Sequence, residues 1–327
     1  MLSSVILVRI HNKRGEDTRY ISSYNVKGYP TFVLLSKNEE TLGRWWGFSR
    51  DEFLKEMKIA LSDPTTIAEK KERFANKPDS KTALALAKYY YTQNELKESE
   101  TYYRAAAKYD PENDYAYELY DLYRTGFLNK LYSKDQLISA ADKALSSDYT
   151  DMMSKLIIYD QMGNGSILIP PGNKDVLGYI RKGQEFAAKI TDERLQRYKD
   201  RIRISYLLYI EKDTQKAIEL KKKTYDSGWQ DNADNLNAFS WWCFENQVDL
   251  EEAEKMAERG IQLAEKGSQK ANIMDTLAEI VNLLGNPARA SEIIDKAVTE
   301  DPDSSYLQNQ QIRFHKLANS KAQTRVN

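Results

Sequence analysis

The sequence predicts a mostly α-helical protein in which an array of paired helices follows a shorter α/β segment. Three observations carry that expectation. From about residue 80 onward, small and large apolar residues recur at helical spacing in paired blocks. Two of those blocks end on Asp-Pro, which cannot continue a helix. The first sixty residues instead hold short β-branched runs separated by turn residues.

Taken in order, Val5 to Ile10 is an apolar run expected to form a strand covered on both faces. Gly15 to Asp17 predicts a loop and Thr18 to Tyr24 a short helix. Pro30 precedes a second strand, Thr31 to Leu35. Asn38-Glu39-Glu40 turns the chain and Thr41 to Trp46 returns, giving a β-hairpin. Adjacent strand residues face opposite ways, so one of Trp45 and Trp46 belongs in the core and the other at the surface or under the helices. Ser49 is placed to cap a helix from Arg50 to Leu61, and Asp63-Pro64 ends it. The expected organisation is an α/β segment over 1–62, a helical linker over 63–80 and a helical repeat domain over 81–327.

The repeat is clearest in Leu86-Ala87-x-x-Tyr90 followed by Ser99, Tyr103, Ala106 and Pro111. It returns as Leu277-Ala278-x-x-Val281 with Ala290, Ile294, Ala297 and Pro302. Weaker copies are Phe244, Ala253, Ala257 and Gly260, and Leu208 with Ala217. Small residues at a helix crossing let two backbones approach, and large ones fill the space beside them. Ala253 and Ala290 are 37 residues apart, close to the ~34-residue period of tetratricopeptide (TPR) repeats, which these blocks resemble. Between 112 and 200 the pattern is irregular: Tyr115 to Tyr123 and Gln136 to Ser146 read as a degenerate pair, and Gly163 to Asn173 as a loop.

Val26-Lys27-Gly28-Tyr29-Pro30-Thr31-Phe32-Val33-Leu34-Leu35 resembles the cis-proline segment of the thioredoxin superfamily. Gly43-Arg44-Trp45-Trp46-Gly47 and the helix from Arg50 are similar to that family's last strand, glycine and closing helix. The likeness covers about residues 5 to 61, the C-terminal half of such a domain. Its fusion to TPR-like helices resembles bacterial thioredoxin-like proteins of the thiol:disulfide interchange type. The resemblance implies a cis Tyr29–Pro30 bond and a peptide groove edged by Gly28, Tyr29, Pro30, Trp46, Gly47 and Phe48. TPR-like architecture places Lys88, Tyr91, Tyr206, Tyr209, Trp242, Glu279 and Asn282 on the concave face as candidate peptide contacts. The Lys/Asn clamp for a C-terminal carboxylate is not visible among them. Most of the 22 tyrosines are expected to be packing residues with a wet hydroxyl.

This sequence departs from the thioredoxin family where the chemistry lies. The half with the central strand and Cys-x-x-Cys would precede Met1, which is therefore expected to be an internal methionine of a longer protein, a rearranged half-domain being the alternative. Cys243 is the lone cysteine, so neither an intramolecular disulfide nor an attacking and resolving thiol pair can form. With only His11 and His315 besides, no Cys/His metal site can be assembled, and no catalytic residue or cofactor is assigned. Gly163-x-Gly165 lacks the lysine and preceding strand of a phosphate loop, and Asn164-Gly165-Ser166 is a glycosylation sequon of a kind common by chance.

Forty-eight basic residues against 49 acidic ones leave a formal charge of −1, which offers no footprint for nucleic acid. No apolar run is long enough to insert in a membrane. The expected function is a non-catalytic scaffold that binds a protein or peptide. The alternatives are the C-terminal part of a thiol:disulfide oxidoreductase in cell redox homeostasis, with its Cys-x-x-Cys upstream, and a purely structural assembly module. Oligomeric state and compartment stay open; a truncated N-terminus would be consistent with a periplasmic or secreted protein.

Overall fold

The computed structural model describes residues 6, 8–10, 17–47, 49–164 and 173–324. The chain divides into two compact units, Met1–Ala187 and Ala188–Asn327. Among the described residues there are sixteen α-helices and one two-stranded antiparallel sheet, so the protein is a mostly helical repeat array after a small α/β part.

The first unit opens with α1 (Thr18–Ser23), β1 (Thr31–Leu35), β2 (Thr41–Trp46) and α2 (Arg50–Ser62). The strands pair with Thr31 opposite Trp46 and Phe32 opposite Trp45, and a bulge falls between Leu34 and Leu35. Trp45 packs with Met57, Ala60, Phe32, Leu34 and Phe53, so one face of the hairpin is closed by α2. A methyl group on Gly43 would meet the Ala60 methyl at 2.9 Å, which is why this strand position carries no side chain. Ser49 caps α2 by accepting from the Glu52 amide, as its sequence position predicts. The expected strand over Val5 to Ile10 is corrected: its described residues 6 and 8–10 are in no strand, and Ile6 and Val8 are exposed. A strand needs a neighbour to take its backbone groups, and β1 and β2 pair only with each other among the described residues.

The segment from 63 to 80 contains α3 (Ile67–Asn76), which Thr66 and Glu69 start with a reciprocal capping box. Lys70 on α3 is buried and its ammonium donates to the carbonyls of Leu42 at 3.3 Å, Asp63 at 3.1 Å and Thr65. All three of its protons thus find acceptors, as a buried cation requires. Arg73 pairs with Asp63 at 2.5 Å. These two residues tie α3 to β2 and to the end of α2.

The array continues as α4 (Ser80–Thr92), α5 (Leu96–Tyr109), α6 (Ala116–Leu128), α7 (Lys134–Ser146), α8 (Met152–Gly163) and α9 (Lys174–Ala187). Each pair α4–α5, α6–α7 and α8–α9 packs together. Ala83, Ala87 and Ala106 are wholly buried in this core, and Ser99 on α5 donates to the Ala87 carbonyl on α4 at 2.8 Å. Most of the expected Gly163–Asn173 loop, residues 165–172 with part of the sequon, lies outside the described residues.

The second unit holds α10 (Gln196–Tyr206), which runs into a π-helical turn at Leu207–Glu211, then α11 (Thr214–Lys223), α12 (Ala233–Asn246), α13 (Leu250–Leu263), α14 (Ser268–Leu283), α15 (Pro287–Glu300) and α16 (Ser305–Thr324). Its core is mainly aliphatic: Ile273, Leu277, Ile280, Val281, Ile294, Leu307 and the alanines 253, 257, 278, 290 and 297. Ser240 on α12 donates to the Ala253 carbonyl on α13 at 3.0 Å. Besides its partner α13, α12 packs on α14, the first helix of the next pair, as stacked pairs must.

Candidate functional site

Two groups of candidate residues emerge, one in each unit. In the first, the hairpin register sets Trp46 beside Thr31 and the Tyr29–Pro30 loop. The Gly47 amide donates to the Pro30 carbonyl at 3.2 Å, and the Thr31 hydroxyl donates to the Gly28 carbonyl at 2.5 Å. Gly47 has φ of +74°, a backbone state that a side chain disfavours. The Tyr29–Pro30 bond is cis. Gly28, Tyr29, Pro30, Trp46 and Gly47 therefore form one lip, on which Tyr29 is 62% exposed. Phe48 lies outside the described residues.

Two of the residues expected on the repeat face meet this α/β part. The Trp46 and Tyr91 rings are 5.6 Å apart, and Lys88 pairs with Glu56 of α2 at 2.5 Å. Tyr91 also donates to Asp121 of α6 and lies 3.0 Å from the Thr125 hydroxyl, while Arg124 holds Asp121 at 2.7 Å. Burial, and then the Asp121 charge, pushes the Tyr91 phenol well above its ordinary range, so it stays a donor. Lys88 and Tyr91 thus fasten the hairpin and α2 to α4. Arg44 completes the join from the other side: it is buried and donates to the Tyr24 carbonyl and to that of Asn25 at 3.0 Å. The Asn25 side chain reaches Gln93 at 2.8 Å.

In the second unit Tyr209, Asn246 and Trp242 come together. The Tyr209 hydroxyl donates to Asn246, whose amide donates to the Trp242 carbonyl at 2.7 Å. Burial pushes Tyr209 up to about 12, with Glu245 adding to the effect. Tyr206 sits apart under the Arg203 guanidinium, 5.4 Å from its ring centre. Glu279 is buried against Arg313 of α16, and its carboxyl is raised by burial against the pull of that arginine. Asn282 lies in the last turn of α14, where its carbonyl accepts from Gly285 at 3.0 Å. Those last two serve the α14 and α16 framework and do not join the Trp242 group.

Cys243 is fully buried, and burial pushes its thiol up to about 12, the opposite of an activated thiolate. His315 is exposed and bonded to Asp295 at 2.8 Å, whereas His11 lies outside the described residues.

The residues that sequence reasoning passed over are Glu56, Asp121 and Arg44. Each meets a partner distant in sequence (Lys88, Tyr91 and the Tyr24 carbonyl), which no local pattern marks. Four tyrosines of the first unit, expected to keep wet hydroxyls, bond carboxylates instead. Tyr115 donates to Asp110 at 2.6 Å, Tyr123 and Tyr132 to Glu100 at 2.6 and 2.8 Å, and Tyr179 to Asp142 at 2.8 Å. Among the described residues no helix is long and apolar enough to cross a membrane. No protein-family model matches the chain, and no curated protein matches its sequence.

Proposed function

We propose that the chain is a non-catalytic scaffold for a protein or peptide, built from a thioredoxin-like remnant and TPR-like repeats. One observation carries it: the Tyr29–Pro30–Gly47 lip is exposed, fixed by backbone bonds and anchored through Trp46 to Tyr91. A rigid aromatic surface beside accessible backbone suits an extended peptide, because little side-chain freedom is lost on binding. The buried, unactivated Cys243 supports a role other than dithiol exchange by this chain.

Selection of peptides from a displayed random library against the full chain tests the proposal. Enriched peptides should lose about tenfold or more in affinity on Tyr29→Ala, as expected for an aromatic anchor. Enriched peptides that bind the variant equally well would overturn the assignment of the lip. Insulin reduction by the chain with a dithiol donor should stay at the uncatalysed rate, with or without Cys243→Ser.

A further inference from the structure

The two strands of the hairpin differ in what covers them. Lys70 of α3 donates to the Leu42 carbonyl of β2, and both α3 and α4 pack on that strand. β1 pairs with β2 alone among the described residues, so its other edge carries no ladder. The register tells which groups that edge presents. The Gly47 amide donates to the Pro30 carbonyl and the Ser36 amide to that of Glu40, and bonded pairs alternate along an antiparallel ladder. Phe32 and Leu34 therefore bond inward to β2, while the N–H and C=O groups of Thr31 and Val33 turn outward. Both residues are only half-buried. Edge strands are usually guarded by a charge, a proline or a bulge. β1 reads Thr-Phe-Val-Leu-Leu without a charge; Pro30 and the bulge after Leu34 bound the edge but leave residues 31–34 unguarded.

The same unit holds a strand-like segment that no sheet uses. Ile6, Val8 and Ile10 alternate along the chain, as residues on one face of a strand do. Yet residues 6 and 8–10 are in no strand, and Ile6 and Val8 are 93% and 68% exposed. The two features are complementary. One is a run of branched apolar side chains left in water; the other is an apolar strand edge with outward N–H and C=O groups.

We infer that the chain around Ile6, Val8 and Ile10 of one copy adds as a strand to the β1 edge of a second copy, and reciprocally. A single copy leaves both features exposed, and an exchange about a two-fold axis covers both by making the same contact twice. A third strand also takes the sheet past a lone hairpin, which is marginal in water. The added strand bonds to Thr31 and Val33 and lays Ile6, Val8 and Ile10 beside Phe32 and Leu34, on the face that α2 closes. Arg9 then falls on the opposite face. The exchange goes beyond the scaffold function and does not rest on it.

Sedimentation equilibrium of the full chain over a concentration series is the test, and a monomer–dimer equilibrium is the expected result. Val8→Lys should raise the dissociation constant about tenfold or more, because the burial of a valine is lost from each arm. Val8→Ile should keep the dimer. Val8 is exposed in the single copy, so neither change disturbs the fold that the variant must retain. Val33→Pro should also weaken the dimer by removing an outward N–H, while the bonds between β1 and β2 stay. A chain that remains monomeric throughout would overturn the exchange. So would a dimer that ignores Val8→Lys; if Val33→Pro still weakens it, β1 pairs directly with the β1 of the second copy.

Discussion

The two units solve the same packing problem with different chemistry. In both, alanines at helix crossings let backbones close up, and a buried serine bonds across a pair: Ser99 to Ala87 in the first unit, Ser240 to Ala253 in the second. Around those crossings the first unit uses tyrosines, among them Tyr103, Tyr115, Tyr120, Tyr123, Tyr132 and Tyr179. The α12–α16 core of the second uses Ile273, Leu277, Ile280, Val281, Ile294 and Leu307. An aliphatic core needs only shape. A tyrosine core also calls for acceptors, and here carboxylates take the hydroxyls of Tyr115, Tyr123, Tyr132 and Tyr179 and Gln161 that of Tyr120. Glu100 shows the consequence: burial pushes its carboxyl up, but bonds from Tyr123, Tyr132 and Arg104 outweigh burial and hold it below the ordinary range. The first unit is therefore tied to ionisation and the second chiefly to volume.

The largest expected effect comes from volume. Ile294→Ala should cost about 3–4 kcal/mol, because Ile294 is wholly buried and the close-packed alanines around it cannot fill the cavity. Hydrogen exchange should place the lost protection within 188–327; equal loss in 1–187 would break the division into units.

Glu100→Gln should cost about 2 kcal/mol, since Tyr123, Tyr132 and Arg104 keep one acceptor oxygen instead of a charged pair. Its effect should also vary with pH. Glu100 is depressed in the fold, so its contribution is whole above the unfolded value near 4.3 and fades as pH falls through the lower folded value. A denaturant midpoint difference that stays constant as the solution is acidified through that range would remove Glu100 from the account.

Overfilling a crossing comes next. Ala297→Leu should cost about 1–3 kcal/mol by forcing α15 away from its neighbours. The smallest effect is Tyr179→Phe, about 1 kcal/mol for one hydroxyl bond to Asp142. A midpoint unchanged by Tyr179→Phe would mean that the phenol–carboxylate bond adds nothing to ring packing.

Much of this fold was legible in local sequence. The hairpin runs over Thr31–Leu35 and Thr41–Trp46 as read, because Pro30, the turn residues and β-branching act over a few positions. The Ser49 cap and the Ala106 and Ala297 crossings are also signals carried within one element or one pair. Leu208 and Ala217 read faintly because the π-helical turn at Leu207–Glu211 shifts the spacing between them, and Lys212 must leave it at φ +59°. The candidate sites were only half legible. Trp46 and Tyr91 were each picked out from its own element, but their contact joins residues 45 positions apart. Glu279 carried the right periodicity for an open face, yet Arg313 of the final helix covers it. Arg44 was missed because a buried cation in a strand reads as a solvated one until its surroundings are known.

Alkali separates the two chemistries most directly. Burial raises the phenols of Tyr91, Tyr103, Tyr115, Tyr120, Tyr132 and Tyr179 well above 10, whereas in the second unit Tyr209 and Tyr225 reach about 12. A tyrosine raised in the fold gives its full contribution below the unfolded value near 10 and loses it as pH climbs toward the folded value. Tyr117 of the first unit also reaches about 12, so with seven such groups against two the first unit should unfold first above pH 10. Hydrogen exchange pulsed across an alkaline series decides the matter. The expected result is loss of protection over α4–α9 while α12–α15 remain protected; simultaneous loss in both, or earlier loss in α12–α15, would contradict the division of labour between tyrosine and aliphatic packing.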